Sequence, residues 1–143
     1  MKHRLILAEI ERCLRTIPGL RVERDSRQPD SEEDLRANGP IAILHSGRRE
    51  TVDIENGTAL TWARRWQVQP VVLVLVSDPD PEAQQETLDT IEAAFVDALD
   101  NSRLQEGDLL ARGSVPAFRT EIHNPDEEPL AGMQMFMNLT YDR

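Results

Sequence analysis

Residues 58–78 read TALTWARRWQVQPVVLVLVSD, and the reading of this stretch decides the fold. After Pro70, Val71–Val76 is an unbroken run of valine and leucine. A strand with one wet face alternates apolar and polar residues, so an unbroken run predicts a central strand buried on both faces. Before Pro70 the residues do alternate, and Trp62, Arg64, Trp66 and Val68 share one face of an extended chain. Proline has no N–H to give to a ladder, so the first half is expected to leave the sheet or form an exposed edge at Pro70.

On the C-terminal side lies a long amphipathic helix. Asp80 before Pro81 supplies an N-cap and first-turn pair. Leu88, Ile91, Phe95 and Leu99 form its apolar stripe, with Ala94 and Ala98 beside it. On the N-terminal side, Leu5–Ile17 carries Ile6, Ile10, Cys13, Leu14 and Ile17 at helical spacing. Arg4, Glu9, Glu11, Arg12 and Arg15 fall mainly on the other side, and Pro18-Gly19 stops the helix. LRV follows as a short strand. Residues 24–38 are charged and aperiodic, which predicts a mobile surface loop. PIAILHS reads as a strand begun by Pro40, GRRETVDIENG as a further short strand, and Asn56-Gly57 as a hairpin turn.

The chain closes with two more strands. In SVPAFRTEIHN, Phe118, Thr120 and Ile122 alternate with Arg119, Glu121 and His123. PDEEPLAG is a turn-rich connector. In GMQMFMNLTYDR, Met133, Met135, Met137, Leu139 and Tyr141 alternate with Gln134, Phe136, Asn138, Thr140 and Asp142. Three spaced methionines raise the question of a soft-metal site. The apolar series continues through Leu139 and Tyr141, which a metal site would not need and a core-facing strand does. Burying each such side chain contributes roughly 1.5–3 kcal/mol, so exposing all of them would forfeit a sum comparable with a domain's whole stability.

Composition narrows the function classes. The 143 residues predict one domain spanning 1–143, 39% hydrophobic and 29% charged, with formal net charge −10. That charge argues against general binding to nucleic acid or to an anionic membrane. Ten acidic residues and a single basic one, Arg103, lie between Asp78 and Asp108, a solvated helix face or a docking surface for a basic partner. A lone cysteine, Cys13, allows no intramolecular disulfide and fits a cytosolic setting. The N-terminal apolar run LILA ends at Glu9, short of a signal-peptide core or a membrane span.

No chemistry-bearing motif stands out. His3, His45 and His123 are scattered, without the paired spacing of a zinc site. The acidic runs from Asp30 and Asp78 lack the glycine and the terminal glutamate of an EF-hand loop. There is no P-loop, no G-x-G-x-x-G and no G-x-S-x-G. No catalytic residue, cofactor or metal is therefore expected. The remaining constellation is TWARRW with Arg48-Arg49. It fits base stacking, a strand segment whose tryptophans cover a core edge while the arginines meet acidic neighbours, or a protein interface. The net charge favours the last two.

Taken in order, these pieces resemble the tail terminator (tail completion) proteins of tailed bacteriophages and prophages. The resemblance rests on the helix ending in IPGLRV, the GPIAIL strand, the tryptophan-bearing segment running into PVVLVLVSD, the acidic helix TLDTIEAAFVDAL and the closing MQMFMNLTYDR. It implies an α+β fold: a mixed, mostly antiparallel sheet with two main helices packed on one face. It further implies a non-enzymatic subunit that forms a hexameric ring on the tail tube, stops tube polymerisation and presents the surface that meets the head. The partners would be other copies of itself, the tail tube protein and the head–tail connector protein. The free subunit is compatible with a monomer. The setting would be the host bacterial cytoplasm during assembly, then the virion tail. In such a ring the acidic helix of one subunit would face an arginine-bearing strand edge of the next. Arg48, Arg49, Arg64, Arg65 and Trp66 are the expected contact residues. Another phage neck or connector protein, a small ligand-binding domain or enzyme, and a nucleic-acid module are the alternatives.

Overall fold

The computed structural model describes residues 2–25, 32–51, 65–114, 116–123 and 129–142. Its elements are α1 (Lys2–Arg15), β1 (Arg21–Arg24), α2 (Glu32–Asn38), β2 (Ile41–Thr51), β3 (Arg65–Ser77), α3 (Pro81–Asp100), β4 (Ala117–His123) and β5 (Leu130–Asp142). The strands form one sheet in the order β1-β2-β3-β5-β4. Only β1 and β2 run parallel; every other pair is antiparallel. The fold is α+β, as expected, and the valine run occupies the centre of the sheet.

β3 does not leave the sheet at Pro70. It stays paired with β2 from Trp66 to Leu75 and with β5 from Arg65 to Ser77. The adjustment falls on β2, whose register shifts by one residue between His45 and Arg48. His45 is opposite Val71 and Arg48 is opposite Gln69, so Ser46 and Gly47 together face Pro70. This is a β-bulge, two residues against one, with a glycine in the left-handed region at φ +70°. A Cβ on Gly47 would also collide with the Gln69 carbonyl, so glycine is required on two counts. The backbone N–H of Ser46 donates to the Asp25 carboxylate at 3.2 Å, and the Ser46 hydroxyl lies 3.2 Å from its other oxygen. GRRET therefore continues β2 instead of making a separate strand, and the Asn56-Gly57 turn lies outside the described residues.

One sheet face carries the main core. Val68, Val72 and Val74 of β3 point there, with Met133, Met135, Met137, Leu139 and Tyr141 of β5, all buried. The methionines are core, as their alternation predicts. α1 and α3 cover this face through Ile6, Ile10, Cys13, Leu14, Leu88, Ile91 and Phe95. α3 starts as predicted: the Asp80 carboxylate accepts from the Glu82 N–H at 3.1 Å, with Pro81 in the first turn. Gln84 is buried, and its amide donates to the Asp78 carbonyl at 2.6 Å, tying the helix start to the end of β3. Burial pushes the Cys13 thiol pKa up.

Two further expectations are overturned. The segment 24–38 is not all loop: Glu32–Asn38 is helical, and Leu35 anchors it against Ile41, Ile43 and Leu75 on the opposite sheet face. Residues 26–31 lie outside the described residues. Leu35 is a lone apolar residue among charges, too little for a periodic signal, and the sheet supplies what the helix lacks. α2 covers only one end of that face, so the valine run is two-sided near Leu75 and half-buried at Val71 and Leu73. Glu9, assigned to the wet side of α1, is buried. Its carboxylate accepts from the Arg12 guanidinium and, at 2.7 Å, from the backbone N–H of Arg103, clamping α1 to the chain leaving α3. The Arg12 hydrogen bond, and after it the Arg103 N–H, hold the Glu9 pKa below its ordinary value against the opposing effect of burial.

Gly47→Ala should lower stability in urea unfolding by about 2 kcal/mol or more, since left-handed backbone at a non-glycine residue alone costs about 1–3 kcal/mol. Gly107→Ala, at φ +88° with no atom within 4 Å, should cost less, for it lacks the collision. Glu9 has a lowered folded pKa, so its stabilisation is present above the ordinary value of 4.5 and is lost as pH falls through the folded value. Glu9→Gln should therefore cost about 1 kcal/mol at neutral pH and flatten the acid limb of the unfolding midpoint against pH.

Candidate assembly surface

Beyond α2, the sheet face opposite α1 and α3 is uncovered among the described residues. Strand alternation brings Arg48 and Glu50 of β2, Arg65, Gln67, Gln69 and Val71 of β3, Phe136, Asn138, Thr140 and Asp142 of β5, and Arg119 and Glu121 of β4 to this face. The side chains pair across strands. Arg65 reaches both oxygens of Asp142, at 2.9 and 3.5 Å. Gln67 hydrogen-bonds Asn138. The Arg119 guanidinium lies 4.5 Å from the Phe136 ring centroid, and Arg48 lies 3.6 Å from Glu50. Between Arg48 and Arg119 the surface dips into an open groove of about 470 Å³ floored by Val71 and Phe136.

The expected contact residues divide between the two faces. Arg48 and Arg65 lie on this open face. Arg49 and Trp66 turn to the helix side, where Trp66 packs on the edge of the core and the Arg49 guanidinium sits 5.1 Å from its ring centroid. Trp66 and Val68 do share a face, as their alternation predicts. Arg64 and Trp62 lie outside the described residues. The tryptophan is thus core-edge cover and Arg65 has an acidic neighbour, one of the three readings the TWARRW stretch allows. Arg119, Phe136 and Asp142 were not expected in the set. The signal was available in the even positions of β5, whose alternation with the methionines places them away from the core.

Charge is distributed unevenly. His3, at the start of α1, has its pKa lowered by burial and then by the fields of Arg49, Arg24 and Arg4, so three arginines act on this one imidazole. The first turn of α1 holds no acid to offset them. Across the core, α3 presents the opposite sign: Glu82, Gln85, Glu86, Asp89, Thr90 and Ala93 line a shallow depression of about 480 Å³. Among the described residues no three His, Cys, Asp or Glu side chains come together as metal ligands. The arrangement offers planar arginines, carboxamides and a partly apolar floor, which are groups suited to contacting another protein surface.

No family model matches the sequence, and no curated protein matches it. Among solved structures, a chain in the virion of a native gene transfer agent particle superposes with a TM-score of 0.57 at 16% identity. The likeness covers 96% of this chain and 95% of that one, so it is a likeness of whole folds, not of a shared fragment.

Proposed function

We propose that this chain is a non-enzymatic structural subunit of a phage-type virion, and that it caps the tail tube as a hexameric ring, ending tube polymerisation and forming the surface that meets the head. The observation that carries this reading is the end-to-end fold likeness to a chain of a gene transfer agent virion. The order of elements that resembles tail terminator proteins supports it from the sequence side. The distribution of charge supports a head-to-tail contact: the acidic face of α3 and the arginine-bearing end of β2 and β3 are different surfaces of one subunit, so neighbours can present opposite signs to each other. Tail tube and connector proteins would meet the two ends of such a ring.

The purified protein, added to polymerising tail tube protein from the same gene cluster, should shorten the tubes and leave a ring at one end in electron micrographs. Arg48→Ala combined with Arg65→Ala should weaken capping at least tenfold in protein concentration while leaving the folded spectrum unchanged. Tubes of unaltered length with bare ends would overturn the capping role. Full capping by the double variant would remove these arginines from the contact.

A further inference from the structure

β4 is an edge strand, and among the described residues nothing pairs with its free side. It is seven residues long and carries no proline or glycine. An open edge of this length is a template for another strand unless its side chains repel one. Here the side chains are arranged symmetrically about Thr120. On the open sheet face they run Ala117, Arg119, Glu121, His123; on the helix face they run Phe118, Thr120, Ile122.

We propose that β4 is a self-complementary edge that pairs antiparallel with β4 of a second copy, about a two-fold axis through Thr120, to make a continuous ten-stranded sheet. In that register Arg119 stands opposite the second copy's Glu121, and Glu121 opposite its Arg119. Phe118 stands opposite the second copy's Ile122, and the reverse. Opposite charges and aromatic–β-branched pairs directly across an antiparallel ladder are favourable, and a two-fold makes each contact twice. The register is specified. The nearest other registers move the axis to Arg119 or Glu121, which would set arginine on arginine or glutamate on glutamate; moving it on to Phe118 or Ile122 loses the Arg119–Glu121 pairs.

The exposure pattern supports a second copy as the occupant. Phe118 is 38% and Ile122 41% exposed, the two large apolar residues of β4 left uncovered on the helix face. Beside Phe118 a groove of about 340 Å³ runs between α3 and β4, lined by Val96, Leu99, Leu104 and Leu139. The second copy's Ile122 would lie over Phe118 at this groove. Arg119 and Glu121 pair with each other along their own strand at 3.1 Å, and their side chains are 65% and 42% exposed, which leaves room to exchange partners. The pair is isologous and cannot propagate into a ring; it is a form of the free subunit, and it does not rest on the ring reading.

Sedimentation velocity of the full chain tests this with a charge swap. The wild type should show a concentration-dependent species of two copies. Arg119→Glu and Glu121→Arg, each placing like charges across the axis, should weaken it at least tenfold. The double variant Arg119→Glu/Glu121→Arg restores opposite charges and should restore the dimer. All four proteins should give the same circular dichroism, since both positions are exposed. A wild type that stays monomeric at every concentration, single variants that associate as tightly as the wild type, or a double variant no better than the singles would overturn the proposal. A six-copy assembly unaffected by the single changes would overturn it while leaving the ring reading in place.

Discussion

The structure depends on how one strand accommodates one proline. β3 sits between β2 and β5, and every residue from Arg65 to Gln69 is held there only because the ladder survives Pro70. The extra residue in β2 absorbs the mismatch, Gly47 adopts the backbone that the bulge needs, and Asp25 takes the N–H of Ser46. Without that accommodation the distal halves of β2 and β5 would have no central partner. Val68, Leu139 and Tyr141 would lose their burial, and the open face bearing Arg48, Arg65 and Asp142 would not exist.

That accommodation also gives the molecule its two unlike surfaces. The middle of one sheet face is covered by α1 and α3, whose apolar stripes close over the methionines. The other is covered by α2 at one end and, among the described residues, left open at the end beyond the bulge. Among the described residues the buried acid, Glu9, is taken up in clamping α1, and the Cys13 thiol is buried in the core. The open face, the basic neighbourhood of His3 and the acidic face of α3 are separate parts of one small chain.

Much of this was legible in the sequence, and the parts that were not share a cause. The alternation through Tyr141 placed the methionines in the core, because a period of two over five apolar residues matches one face of a strand and no helical spacing. Asp80-Pro81 marked the start of α3 to the residue. The passage of β3 through Pro70 was not legible, since the compensating glycine lies in another strand, far back along the chain. α2 was hidden because its single anchor, Leu35, gains its value from Ile41, Ile43 and Leu75. Glu9 falls on the polar side of α1 by its spacing, and nothing local reveals that the Arg103 N–H arrives at it. Adjacent residues of a strand face opposite ways, so Arg65 parts from Trp66 by alternation alone; the bulge in β2 decides that Arg48, and not Arg49, joins Arg65 on the open face. Each miss is a tertiary contact, and each success is a local pattern.

If this subunit ends a tube and joins it to a head, as we propose, tail length must depend on it. Electron micrographs of lysates from a strain in which the gene is silenced should show tubes of unregulated length with no heads attached, restored to uniform headed tails when the gene is supplied again. Headed tails of normal, uniform length in the silenced strain would contradict the account.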